Sequence, residues 1–215
     1  MQAKGIIFDL DGTLLDTLKD IADSANAALQ AAGCPTLPVD AYRLIIGEGM
    51  DRLVEQAAPA GTPEAVQARL VEAVKAEYGR RWRDATRPYP GILELLAALA
   101  ARGVPMAVLS NKPHPFTLEV VASFFPGMPF AGVRGAGPDT PLKPDPAGAL
   151  SLARTLGFAP SELLMVGDTR IDVATGLNAG LFAVGVLWGF RGREELLAAG
   201  AQTIIARPEE LLGLV

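Results

Sequence analysis

The sequence predicts an α/β protein, a doubly wound parallel sheet of Rossmann-like type carrying an inserted α-helical cap. Three observations predict it. Short apolar runs that stop at Gly, Pro or polar residues recur along the chain, helical patterns separate several of them, and the stretch 16–86 holds helical patterns without a convincing strand.

Residues 5–10 are the first expected strand, an Ile- and Phe-rich run that halts at an acid-glycine cluster, as a buried parallel strand does at its carboxyl end. Next, apolar residues recur at helical spacing: Leu18, Ile21, Ala22, Ala25, Ala28 and Leu29, then 44–53, then Val66, Leu70, Val74 and Tyr78. Asp16-Thr17 on one edge of this insert and Arg87-Pro88-Tyr89-Pro90-Gly91 on the other have the turn chemistry of two hinge strands. The expected division is therefore a core of 1–15 and 87–215 and a cap of 16–86. A lid inserted there sits over the carboxyl ends of the sheet, where open α/β folds place ligands. Further strands are expected at 104–110, 130–134, 163–167, 182–187 and 203–205. Helices are expected at 92–102, 115–125, 146–156 and 171–179, with Pro or Asp near their starts and Gly at several ends.

Composition narrows the function classes. Half of the 215 residues are apolar and 20% are charged, enough buried surface to exclude disorder as the dominant state. Lys and Arg number 19 against 24 Asp and Glu, a net charge of −5, the wrong sign for a generic nucleic-acid binder. Cys34 is the single cysteine, so no internal disulfide forms and a zinc site lacks its ligands. No apolar run approaches the ~20 residues of a membrane span, and a cytoplasmic protein is expected.

Asp9-Leu10-Asp11-Gly12-Thr13 sets two carboxylates two residues apart at a strand end. Two such charges need a cation or a proton, and a glycine beside them lets backbone approach a ligand, the needs of metal-assisted phosphoryl transfer. Gly167-Asp168-Thr169-Arg170-Ile171-Asp172 supplies a second acidic cluster after another strand, in which Thr169 or Asp168 also suits a helix cap. Carboxylates without a neighbouring histidine describe Mg2+ better than zinc. Ser110-Asn111-Lys112 offers hydroxyl, amide and backbone donors, and Lys143-Pro144-Asp145-Pro146 places a cation in a proline-stiffened loop, both suited to a phosphate.

These four segments, in this order, closely resemble the haloacid dehalogenase superfamily, whose phosphatases show D-x-D-G-T, a later Ser or Thr, a Lys and an acidic G-D-x-x-x-D segment. The likeness extends from Gly5 to Phe190. With Ser110-Asn111-Lys112-Pro113 and Val186-Leu187-Trp188-Gly189 it is similar in particular to the phosphoglycolate phosphatase-like subgroup with a helical cap. The resemblance implies a Mg2+-dependent phosphatase acting on a small phosphorylated metabolite, phosphoglycolate foremost, as a monomer or homodimer. It implies Asp9 as nucleophile, Asp11 as acid and base, and Ser110, Asn111 and Lys143 around the phosphoryl oxygens. Mg2+ would be held by Asp9, Asp11 and Asp168, with Asp172 orienting the site from behind. Pyrophosphatase and a β-phosphoglucomutase-like phosphomutase are the alternatives; a receiver-like phosphorylation switch is more distant, since receivers lack the insert. Specificity is assigned to the lid, where a loop around Gly47 and Gly49 enters the site and Arg43 and Arg52 are expected to recognise an anionic substrate tail. His114 is read as a helix-start residue.

Overall fold

Ile6, Ile7 and Phe8 are buried on both faces, as a central strand of a covered parallel sheet requires, and form β1 (Gly5–Phe8). The computed structural model describes residues 2–138 and 140–215. After β1 come β2 (Leu15–Asp16), α1 (Leu18–Ala31), a 3-10 turn (Val39–Leu44), α2 (Met50–Ala57), α3 (Glu64–Arg81) and β3 (Arg87–Pro88). The chain continues through α4 (Ile92–Ala101), β4 (Met106–Pro113), α5 (His114–Phe124), β5 (Phe130–Ala136), α6 (Ala147–Leu156), β6 (Leu163–Gly167), α7 (Arg170–Ala179), β7 (Phe182–Val186), α8 (Arg193–Ala198) and β8 (Thr203–Ile205).

Six strands make one parallel sheet in the order β5-β4-β1-β6-β7-β8, so this is the α/β fold read from the sequence. Alternate side chains serve opposite faces. Ile7, Leu109, Leu163 and Met165 pack with Leu152 and Leu156 of α6. Ile6, Phe8, Val108 and Val166 join Leu96 and Leu99 of α4 in a larger cluster that runs on into the inserted helices. Each fully buried aliphatic side chain of this kind contributes about 1.5–3 kcal/mol. The chain leaves β1 toward β4 and β5, then returns past it to β6, so strand order reverses beside β1 and opens a crevice at the carboxyl ends.

The two crossings into the insert pair as antiparallel strands, Leu15 opposite Pro88 and Asp16 opposite Arg87. Several boundaries differ from expectation. β1 ends at Phe8 rather than at residue 10, and β4 runs on to Pro113 rather than stopping at residue 110. The β4 extension loses register with β5 after Leu109 because Asn111 turns its amide to the Lys143 backbone, accepting from its N–H at 2.7 Å and donating to its carbonyl at 3.0 Å. The single helical pattern at 44–53 is broken in two. Gly47 and Gly49 have φ of +125° and +91°, left-handed values that end the first turn and launch α2 at Met50. The short helix α8, with Leu196 as its buried residue, has too few apolar positions to show a period.

Candidate active site

The site is assembled from the carboxyl ends of β1, β4 and β6 and from the loop before α6, with inserted helices above them. Asp9 follows β1 directly, and its backbone N–H still bonds Val166 of β6 at 2.9 Å. Gly12 then takes φ of +86°, and a Cβ there would stand 2.4 Å from Asp168 Oδ2, so the turn after β1 closes on the Asp168 carboxylate only with glycine. Thr13 Oγ1 donates to Asp168 Oδ1 at 3.2 Å and the Phe190 N–H donates to Oδ2 at 2.7 Å. Thr169 caps α7 by accepting from the Asp172 N–H, while its own N–H donates to Asp172 Oδ2 at 3.0 Å. Capping and acid placement are thus the same device.

Lys143 is the electrostatic centre. Its ammonium lies 2.6 Å from Asp9 Oδ1 and 2.6 Å from Asp172 Oδ1, with a side chain 3% exposed. Burial works against this charge, but Asp172 and Asp9 outweigh it and hold the amine above its ordinary value. Asp9, Asp168 and Asp172 each present an oxygen within 4.8 Å of the others. One cation cannot neutralise three carboxylates. Burial first, then Asp172, pushes Asp9 well up despite Lys143 and pushes Asp168 up to about 7. A divalent ion with hard oxygen ligands answers that excess, so the donor set fits a metal centre of the Mg2+ kind.

One cavity of about 540 Å³, including its open mouth, touches Asp9, Asp11, Ser110, Asn111, Lys143 and Asp172 from the core and Ile46, Gly47, Met50 and Tyr78 from the insert. Asp168 lies just behind this wall and reaches the site through the carboxylate cluster. The loop around Gly47 does enter the cavity, and Asn111 Nδ2 donates to the Gly47 carbonyl at 2.9 Å.

Arg43 and Arg52 stand apart from the other expected site residues. Neither lines the cavity. Arg52 is exposed and drawn to Glu55 at 2.5 Å and Glu48 at 3.7 Å, while Arg43 lies 3.4 Å from Asp40 and 3.5 Å from the Gly189 carbonyl. Both sit where helical neighbours three or four residues away satisfy them, as surface charges on helices do. His114 opens α5 and its Nδ1 accepts from the Gly135 N–H at 3.0 Å. Sequence reasoning missed Lys112, whose side chain enters the cavity, and Tyr78 of α3, which faces it. Lys112 stood beside a strand-end Ser-Asn pair and was counted for its backbone alone; Tyr78 had only the helical apolar spacing of a core residue.

Comparison with known proteins places this geometry in context. The sequence pattern of haloacid dehalogenase-like hydrolases matches residues 6–186. Phosphoglycolate phosphatase of Pectobacterium atrosepticum is 32% identical over 99% of this chain and 92% of its own length. That of Rhodospirillum rubrum is 35% identical over 94% of this chain and 86% of its own. A crystal structure from Lactobacillus delbrueckii subsp. bulgaricus, provisionally assigned as a phosphoglycolate phosphatase, superposes with a TM-score of 0.94 at 28% identity, covering 100% of this chain and 99% of that one.

Proposed function

The chain belongs to the haloacid dehalogenase-like hydrolases, and from that premise we propose that it hydrolyses a small phosphate monoester, phosphoglycolate foremost, through an aspartyl phosphate on Asp9. It is a phosphatase. The observation that carries the finer reading is the convergence of Asp9, Lys143, Asp168 and Asp172 from separate segments onto one buried charge cluster beside a cavity.

In this reading Asp9 attacks phosphorus, forming an oxygen–phosphorus bond as the ester oxygen departs with its electron pair. Asp11, two residues on, gives that oxygen a proton and later takes one from the water that attacks the phosphorylated Asp9, releasing phosphate. Lys143 favours the ionised form of Asp9 and orients it, and with Ser110 and Asn111 holds the phosphoryl oxygens as charge shifts among them. Mg2+, held by Asp9 and Asp168 with the Asp11 carbonyl, would supply charge neutralisation that lets an anionic nucleophile meet a phosphate dianion. Asp172 fixes Lys143 and the start of α7. Residues 16–86 act as the cap, hinged on the β2–β3 pair, over a core of 1–15 and 87–215. A cytoplasmic setting fits the single unpaired thiol, and among the described residues no helix is long and apolar enough to cross a membrane.

The test is phosphate release from a panel of phosphate esters and pyrophosphate, with Mg2+ and with chelator, by the parent and by Asp9→Asn. The expected result is Mg2+-dependent release that falls by at least about 10³-fold in the variant. Undiminished release by Asp9→Asn would exclude the covalent route, and preference for pyrophosphate would replace the ester reading.

A further inference from the structure

Two basic side chains line the cavity among the described residues, Lys143 and Lys112. Lys143 is committed to Asp9 and Asp172. Lys112, 8% exposed at the end of β4, has one carboxylate neighbour where Lys143 has two. Its ammonium lies 3.0 Å from Asp11 Oδ1 and 4.5 Å from the ring centroid of Tyr78. Asp11 Oδ1 is an ion-pair neighbour without hydrogen-bond geometry, and it and the Tyr78 hydroxyl are both buried without a hydrogen-bond partner. Burial costs this ammonium its hydration, and a single carboxylate at 3.0 Å leaves N–H donors open to a ligand. Two orphaned polar atoms on either side of it compound that cost. The arrangement makes sense once a ligand fills it.

The position specifies which part of the ligand. Asp11 protonates the departing oxygen in the reading above, so the atoms bonded to that oxygen lie next to Asp11, on the side of Lys112 and Tyr78. Ile21, Ile46, Met50 and Leu53 make the nearby wall apolar, and among the described residues no arginine lines it. A short alcohol fits there, with its far end on the Lys112 ammonium. We propose that Lys112, backed by the Tyr78 ring, is the specificity-determining residue for the leaving group and selects monoesters whose alcohol ends in a carboxylate. Lys112 does this from the core while Tyr78 comes from α3 of the insert, so the subsite is complete only with the insert over the sheet.

This inference rests on the phosphatase reading, and the experiment separates the two. Hydrolysis of phosphoglycolate is compared with that of its neutral amide, 2-phosphoglycolamide, and of p-nitrophenyl phosphate. The parent is expected to favour the acid over the amide by about 10- to 100-fold in kcat/KM, the worth of a hydrogen bond to a charged group. Lys112→Met is expected to shrink that ratio to below about 3-fold, and Lys112→Arg to restore part of it because the cation is kept. The acid-to-amide ratio is the readout, since loss of a purely structural lysine would lower all three substrates together. The parent's own ratio needs no variant, so a Lys112→Met chain that fails to fold leaves the test intact. Equal hydrolysis of acid and amide by the parent, or an unchanged ratio in a folded Lys112→Met, overturns this assignment alone. Release of phosphate from none of the three overturns the phosphatase reading and this one with it.

Discussion

Asp9, Asp168 and Asp172 share one small volume, and their charge states follow from that crowding. Asp168 is raised to about 7 by burial and by Asp172, and Asp9 is raised as well, whereas in an unfolded chain aspartates titrate near 3.9. Without metal the folded protein therefore keeps protons that the unfolded chain releases, so its stability falls as pH rises from about 4 toward 7. A divalent cation requires these carboxylates ionised and is favoured in the same direction. Millimolar Mg2+ should raise the melting temperature more at pH 8 than at pH 5.5, and chelator should remove the difference; equal shifts at both pH values would show that the ion binds elsewhere. Asp9 and Asp168 were legible because each stands where an apolar strand run stops, a position that leaves the side chain at the sheet's carboxyl edge, and Asp172 follows in the same acidic segment as Asp168. Lys112 was not, because a lysine after a strand is ordinarily solvated, and nothing local reveals that Tyr78 closes over it.

At the level of elements, the β2–β3 pair has two residues per strand and needs reinforcement. Asp20, in the first turn of α1 and 1% exposed, provides it by accepting from the Ala85 N–H at 2.9 Å, the Thr86 N–H at 2.8 Å and Thr86 Oγ1 at 2.7 Å. The carboxylate thus ties the start of the insert to its end. Asp20→Ala should cost about 2–4 kcal/mol, since it removes bonds to a charged group and leaves two backbone donors without a partner. Urea unfolding measures this, and a loss within about 0.5 kcal/mol would mean water replaces the carboxylate freely. The two crossings that pair as β2 and β3 were legible through their Pro and Gly turn chemistry and the inserted helices through their apolar spacing. The sequence hid the clasp, because an acid in a first helical turn is ordinary and its partners come 65 and 66 residues later. It also hid the break between the 3-10 turn and α2, where apolar residues continue the helical count across two glycines in left-handed conformation.

For the whole molecule, the strand alternation makes the sheet order a natural expectation, but the position of the insert over the sheet follows from contacts made across it. Arg191, in the loop after β7, donates from Nη2 to the Leu44 carbonyl at 2.7 Å and the Ile46 carbonyl at 3.3 Å, and its side chain is braced by Glu195 at 3.2 Å. Arg170 at the start of α7 pairs with Glu48, and Asn111 reaches Gly47. All three core residues grip the segment 44–48, the same loop that supplies Ile46 and Gly47 to the cavity wall. Arg191 is the less exposed of the two arginines and holds two backbone carbonyls of the insert. Removing it withdraws charge-assisted hydrogen bonds present only when the insert is seated, so the seated fraction drops and apparent substrate affinity drops in proportion. Arg191→Ala should therefore raise KM by about 3- to 10-fold with a smaller change in kcat, because chemistry proceeds normally in molecules that do close. Amide exchange at 45–53 should quicken in the same variant without ligand while the strands of the sheet stay protected. A rise in KM with unchanged exchange in that segment would assign Arg191 to substrate contact instead, and no change in either would leave the grip to Asn111 and Arg170.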